Sequence, residues 1–325
     1  MSGRRPGLAG NGQPDGDRRR RRGGRGLMVP EAEFRSYYGR PVIKEPAWTI
    51  EVPWYFFVGG MAGASAPLAV AARMAGNERL ARSAVTVAAA GVAVGTPLLV
   101  SDLGRPERFH HMLRVFKPTS PMSMGSWVLA GLAPSAVNAA VSEWFGIFPR
   151  LGRAAEVVSG LLGPALATYT AVLVANTAVP VWHEAGRELP LVFAGSAMAS
   201  AGAATTLLTP AADAGPARRL AVTGAVVELA AGQVMERRLG ELAEPYHQGV
   251  AGRYARLAKG CTAAGAAAIG LAGRRRRPLA VAGAGLLLAG SALERLAVYK
   301  AGFQSARDPK YVVKPQRAGL EAANR

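Results

Sequence analysis

The sequence predicts an all-α integral membrane protein: an eight-transmembrane-helix bundle, arranged as two four-helix bundles. Three observations carry that expectation. Half of the 325 residues are hydrophobic. The charges gather in short segments between long apolar stretches, and about 20 apolar residues suffice for one helix to cross a bilayer. The apolar stretches are rich in small residues, as in GGMAGASA (59–66) and GSAMASAGAA (195–204). Small residues let helix backbones approach closely where lipid supplies no hydrophobic drive for association. Strands are not expected, because an open sheet edge leaves backbone groups unpaired in lipid.

Taken in order, residues 1–53 read as a basic, partly disordered segment that includes the run Arg18–Arg22. The first apolar stretch begins only near Trp54, so the N-terminus does not read as a signal peptide. The transmembrane domain is expected over 54–298. Its spans are 54–74, 83–101, 125–148, 156–178, 190–211, 220–235, 257–272 and 279–298, the sixth and seventh being the shortest. In the first span Gly59 and Gly63, four apart, offer one close-packing face. Residues 299–325 read as a C-terminal tail.

The formal net charge is +18. In a soluble chain that would suggest nucleic acid. Its confinement between apolar stretches excludes nucleic acid and points to the lipid bilayer. With eight spans both termini lie on one side, and 28 of the 39 Lys and Arg lie there with them. The positive-inside rule then predicts a multi-pass plasma-membrane protein with both termini cytoplasmic. The single cysteine, Cys261, leaves no intrachain disulfide, iron–sulfur cluster or cysteine-based zinc site to this chain alone. Haem b in a bundle usually needs facing histidines within spans. Here His110, His111 and His247 fall in loops and His183 falls just past the fourth span. No haem and no metal are therefore expected.

One loop stands apart, SDLGRPERFHHMLRVFKPTSPMSMGSW (101–127). It places Asp102, Arg105, Glu107, Arg108, His110, His111, Arg114 and Lys117 between two apolar runs. Pro106, Pro118 and Pro121 stiffen it, since proline fixes φ and cannot continue a helix. A stiff, charged loop suits the docking of a partner.

With this loop as its most specific element, the chain resembles the NrfD/polysulfide reductase membrane-subunit family. Supporting segments are YYGRPVIKEPAWTIEVPWYFFVGGMAGAS (37–65) and ELAAGQVMERRLGELAEPYHQGVAGRYARLAKG (228–260), and the resemblance extends over about 29–313. It implies a membrane anchor subunit of a multi-subunit oxidoreductase. Such a subunit binds menaquinone or ubiquinone and carries no metal cofactor. It docks a four-cluster ferredoxin-like iron–sulfur subunit that serves a molybdopterin catalytic subunit, formate-dehydrogenase-like or polysulfide-reductase-like. By position, Tyr55, Asp102 and Tyr169 fall near the places where relatives contact the quinone, although some relatives carry histidine at the Tyr55 position.

The residue chemistry is compatible with that role. Quinol oxidation releases electrons, which must leave to a partner, and protons, which need titratable groups beside the ring. Polar groups at membrane depth are costly enough to suggest function. Asp102 ends the second span, where a partly buried carboxyl can accept a hydrogen bond and a proton. The bland alternative pairs it with Arg105 or Arg108. Glu51 and Tyr55 open the first span, and Tyr169 lies within the fourth. A phenol donates to a quinone carbonyl, but Tyr55 equally suits the interfacial aromatic belt. Glu51, Tyr55, Asp102, Arg105 and Tyr169 form the candidate quinone site. Arg108, His110, Arg114 and Lys117 form the candidate docking surface. Glu228 and Glu236, eight apart on one helix face, form a weak candidate proton path. They also support the competing reading of a proton or small-solute transporter, against which no internal repeat is evident.

Overall fold

The computed structural model describes residues 41–272 and 276–314, and among them every regular element is helical. The N-terminal arginine run and the final residues 315–325 lie outside the described residues. The elements run α1 (Glu51–Met74), α2 (Glu78–Ser101), α3 (Pro121–Phe145), α4 (Pro149–Ala175), the short α5 (Pro180–Glu184), α6 (Leu189–Leu208), α7 (Gly215–Leu239), α8 (Gly249–Ala272) and α9 (Arg277–Arg307). Several begin with proline in the first turn, where the missing N–H would have had no helical partner. Asn77 caps α2 by accepting from the Leu80 N–H at 3.1 Å.

Among the described residues, six helices are long and apolar enough to cross a membrane: α1, α2, α3, α4, α6 and α9. This is a multi-pass membrane protein. Helices α7 and α8 have spanning length, 25 and 24 residues, but carry more charge. They outrun the apolar stretches 220–235 and 257–272, and charged side chains on both are paired. Arg238 Nε donates to Glu188 Oε1 at 2.6 Å, and Lys259 Nζ donates to Glu236 at 2.7 Å. Helix α9 continues to Arg307, beyond the expected end at 298, since Tyr299 and Arg307 find partners on the segment before α1. The Tyr299 hydroxyl donates to the Trp48 carbonyl at 2.7 Å, and Arg307 Nε donates to Glu45 at 2.8 Å. That segment is therefore packed rather than a loose extension of the tail: Trp48 stacks on Trp182 with ring centroids 5.3 Å apart.

The packing forms two four-helix groups. Helices α1 to α4 pack as a closed ring of neighbours, and so do α6 to α9; α1 and α4 meet α6, and α1 meets α9, along the seam. The α1–α4 crossing is the tightest in the first group. A Cβ on Gly63 would lie 2.6 Å from the Gly163 carbonyl oxygen and 2.8 Å from the Ala167 nitrogen, so only glycine fits. Gly59, expected to share that face, instead lies against the Tyr55 ring, 3.4 Å from where its Cβ would be.

At the end of the first group away from Asp102, Arg73 ties all four helices. Its Nε donates to both oxygens of Glu156 on α4, at 3.0 and 2.8 Å, and its Nη2 donates to Glu143 on α3 at 2.9 Å. A third, short contact joins it to Glu78 on α2. Arg82 adds a bond to Glu143 at 3.0 Å. Fork-shaped pairing of this kind satisfies charges that burial would otherwise make costly.

Candidate functional site

The sequence-predicted residues gather at the opposite end of the first group, where α1 and α3 begin and α2 and α4 end. Tyr55 sits in the first turns of α1 and is 1% exposed. Tyr169 sits on the last turns of α4. Their hydroxyls touch in a short hydrogen bond across 114 residues of sequence. Two glycines make the seats. Gly95 on α2 lies beside the Tyr55 ring, and a Cβ there would sit 3.4 Å from it. The Tyr169 ring lies directly over Gly125 on α3, where any Cβ would collide with it. All four helices thus contribute to holding this phenol pair.

Asp102 closes α2 and is half-buried. Its Oδ1 accepts from the Thr49 N–H at 2.9 Å and from the Thr49 hydroxyl at 2.6 Å. Thr49 therefore takes the place expected for Arg105 or Arg108, both of which are exposed. Two donors already held on a single oxygen suit a carboxylate that must keep its position while its other oxygen exchanges a proton. Glu51 opens α1, and its Oε2 is buried without a hydrogen-bond partner. Tyr299 lies within electrostatic range of both carboxylates.

The loop after Asp102 is ordered by specific contacts. Pro106–Leu113 forms a tight 3₁₀ run with no buried residue. Beyond it, Ser123 Oγ accepts from the Lys117 N–H at 3.1 Å and donates to the Val115 carbonyl at 2.9 Å; Trp127 Nε1 donates to the same carbonyl at 3.2 Å. This stiffness comes from side chains on α3 as well as from the prolines. Arg108, His110, Arg114 and Lys117 are all exposed, as are Phe109, Val115 and Phe116. His110 and His111 meet edge to face, with centroids 4.4 Å apart. Desolvation lowers the His111 pKa, and the nearby Arg114 and His110 charges lower it further.

Sequence reasoning missed an apolar crevice under this loop. It is lined by Thr96, Leu99 and Leu103 from the α2 side, Phe109 and Met112 from the 3₁₀ run, and Leu129 from α3, with a cavity volume of about 130 Å³. The signal was present: Phe109, Met112 and Leu113 have the i, i+3, i+4 spacing of an apolar face. Two polar groups at this wall lack ordinary partners. Thr96 Oγ1 is buried without a hydrogen bond. Pro134 has no N–H to give the carbonyl of Ala130, another lining residue. A flat, apolar ring carrying a hydrogen-bonding oxygen fits such a wall, so the residues present are compatible with a quinone. Leu99 and Leu129 belong to the same hydrophobic core cluster as Tyr55 and Tyr169.

Glu228 and Glu236 lie elsewhere, inside the second group. Glu228 is 4% exposed and accepts from the Thr262 hydroxyl at 3.3 Å. Glu236 pairs with Lys259 on α8, rather than with the adjacent Arg237 or Arg238.

A family model described as polysulphide reductase, NrfD, matches residues 43–243. The chain belongs to the NrfD family. NrfD proteins are membrane subunits of quinone-linked oxidoreductase complexes and associate with iron–sulfur and molybdopterin subunits. The NrfD match spans α1 to α7, and so includes the phenol pair, Asp102 and the loop. No curated protein gives a significant match to the sequence.

Proposed function

We propose that this NrfD chain exchanges electrons between membrane menaquinone or ubiquinone and a four-cluster ferredoxin-like iron–sulfur subunit. That subunit in turn serves a molybdopterin catalytic subunit of the formate-dehydrogenase or polysulfide-reductase kind. The observation that carries the reading is the Tyr55–Tyr169 hydroxyl pair, held between glycine seats at the same end of the first group as an apolar crevice.

The quinone would supply the two-electron, two-proton chemistry. The apolar wall of Leu99, Met112 and Leu129 would hold its ring and exclude water. Tyr55 and Tyr169 are a donor and an acceptor already aligned with each other, so either hydroxyl can turn to a third oxygen while the other keeps it oriented. Thr96 adds a free hydroxyl at the crevice. Asp102, kept in place by Thr49, takes up or releases the proton at the boundary between lipid and loop. Arg105 supplies positive charge beside that boundary. Electrons then leave through the surface that the loop presents. Its exposed Arg108, His110, Arg114 and Lys117, interleaved with Phe109, Val115 and Phe116, suit an acidic partner with an apolar centre.

We place both termini, the loop and the partner subunits on the cytoplasmic side of the plasma membrane. The support is the distribution of Lys and Arg. Omitting α7 and α8 as spans leaves both termini and the loop on one side, with 23 of the 39 Lys and Arg still on it.

The test is binding to the purified chain. A menaquinone analogue should raise the unfolding temperature of the wild type, and Tyr169→Phe should reduce that rise. Equal stabilisation of wild type and Tyr169→Phe would remove the phenol pair from the site, and no stabilisation of the wild type would refute the reading as a whole.

A further inference from the structure

The second helix group buries a set of ionisable side chains that the quinone chemistry does not use. Arg295 on α9 is 1% exposed. Its Nη2 donates to the Phe193 carbonyl at 2.9 Å, and its guanidinium lies over the Phe193 ring at 3.6 Å. Nη1 lies 3.2 Å from Glu294 Oε2 but without hydrogen-bond alignment, so Nε, Nη1 and that oxygen have no hydrogen-bond partner. Glu228 Oε2 is likewise buried and unpartnered. Other polar groups are arranged around them. Ser196 on α6 and Ser291 on α9 join hydroxyls at 2.5 Å, and Thr262 on α8 donates to Glu228. From α1, Gly60 lies against Arg295, whose Nη2 would be 3.5 Å from a Cβ there.

Glu228 and Glu294 line one cavity of about 50 Å³, together with Glu236, Lys259 and Tyr246. That is room for about four waters at roughly 10–15 Å³ each. Lys259 is part-exposed and pairs with Glu236, and His247 lies 3.9 Å from Glu236, so this pair forms the mouth. The mouth is on the Asp102 side, because α7 ends and α8 begins there, as α2 ends. Burial raises the pKa of the Tyr246 hydroxyl, and it stays protonated. In the other direction the path closes. Beyond Glu228 lie Ala199, Ala203, Ala221, Ala225, Ile269 and Leu287, all almost fully buried. The hydroxyls of Ser200, Thr205 and Thr206 are spent on carbonyls of their own helix.

The charges in the closed end do not balance. Two carboxylates face one guanidinium, leaving one negative charge in a medium that penalises it heavily. The Glu236–Lys259 pair at the mouth is already neutral. We infer that Glu228 and Glu294 share one resident proton beside Arg295, in a water-filled pocket that loads only from the Asp102 side. The second group is thus a one-sided proton store. It is not a through-path, and this separates it from a transporter.

The inference does not depend on quinone binding, and the resting chain tests it. Infrared spectra of the purified, quinone-free wild type at neutral pH should contain a protonated-carboxyl carbonyl band that shifts in heavy water. Glu228→Gln and Glu294→Gln should each abolish it, since the remaining carboxylate is then neutralised by Arg295. Glu236→Gln should slow the heavy-water shift. A wild type without the band overturns the inference whether or not the variants fold, and so does a band that survives both single replacements. Sodium-dependent thermal stabilisation without such a band would assign a metal cation instead and overturn it equally.

Discussion

The contact between Tyr55 and Tyr169 makes a quantitative prediction that needs no quinone. Tyr169→Phe removes one hydroxyl and leaves that of Tyr55 buried with nothing to bond, since its residue is 1% exposed. An orphaned buried hydroxyl costs about 1–3 kcal/mol. Tyr55→Phe strands the hydroxyl of the half-buried Tyr169. The double replacement removes both partners and keeps two rings of the same shape over Gly95 and Gly125. Its loss should be under about 1 kcal/mol, because deleting both members of a buried hydrogen bond is nearly neutral. If each single change costs about 2 kcal/mol, independent sites would sum to about 4, so the cycle should return a coupling of about 3 kcal/mol. Denaturant unfolding of the four proteins in mixed micelles measures it. A double variant that loses the sum of the two singles would refute the reasoning and return both tyrosines to separate packing roles.

Four further predictions follow from other parts of the molecule. Asp102→Asn should fold normally, because its amide oxygen can still accept from Thr49, yet quinone-linked turnover of the assembled complex should fall about 10²–10⁴-fold; wild-type turnover would remove Asp102 from proton transfer. Arg108→Glu with Arg114→Glu should release the iron–sulfur partner while the chain stays in the membrane, and unchanged co-purification would place docking elsewhere. In a Cys261→Ala background, Ser123→Cys should resist a membrane-impermeant thiol reagent in intact cells, and labelling from outside would invert the proposed topology. Hydrogen bonds from Arg238 hold the Glu188 carboxyl below its ordinary range despite partial burial. Its contribution to stability is thus present above about pH 4.3 and lost as pH falls through the lower folded value. Glu188→Gln should therefore lower the unfolding temperature at neutral pH, with the gap to wild type closing in acid.

The helices were legible because their signal is local. An apolar run of about 20 residues declares itself, and the long helices fall where those runs do. The ends of α7 and α9 were less legible, since Arg238–Glu188 and Arg307–Glu45 join residues far apart in the chain. The same limit applied to the site. Asp102, Tyr55 and Tyr169 could be selected by residue type and by resemblance, but nothing in the sequence says that two phenols 114 residues apart touch. Nor did it show that Thr49, rather than a neighbouring arginine, holds Asp102. Arg295 was the deepest miss. Beside Glu294 it looks like an ordinary neighbouring pair, and only the packing of α9 against α6 turns it inward over Phe193.

The Arg73 cluster constrains the order in which the protein can be made. Helices enter a bilayer from the N-terminal end, so Arg73 arrives with α1 before most of its acceptors exist. Glu78, five residues later, is the one of its three carboxylate partners that emerges with the first hairpin, and it can neutralise the arginine at once. Glu143 and Glu156 appear only with α3 and α4. Arg73 thus has one partner within the first hairpin, whereas α4 brings its glutamate to a waiting guanidinium. Completion of the first four-helix group is in this sense a capture step.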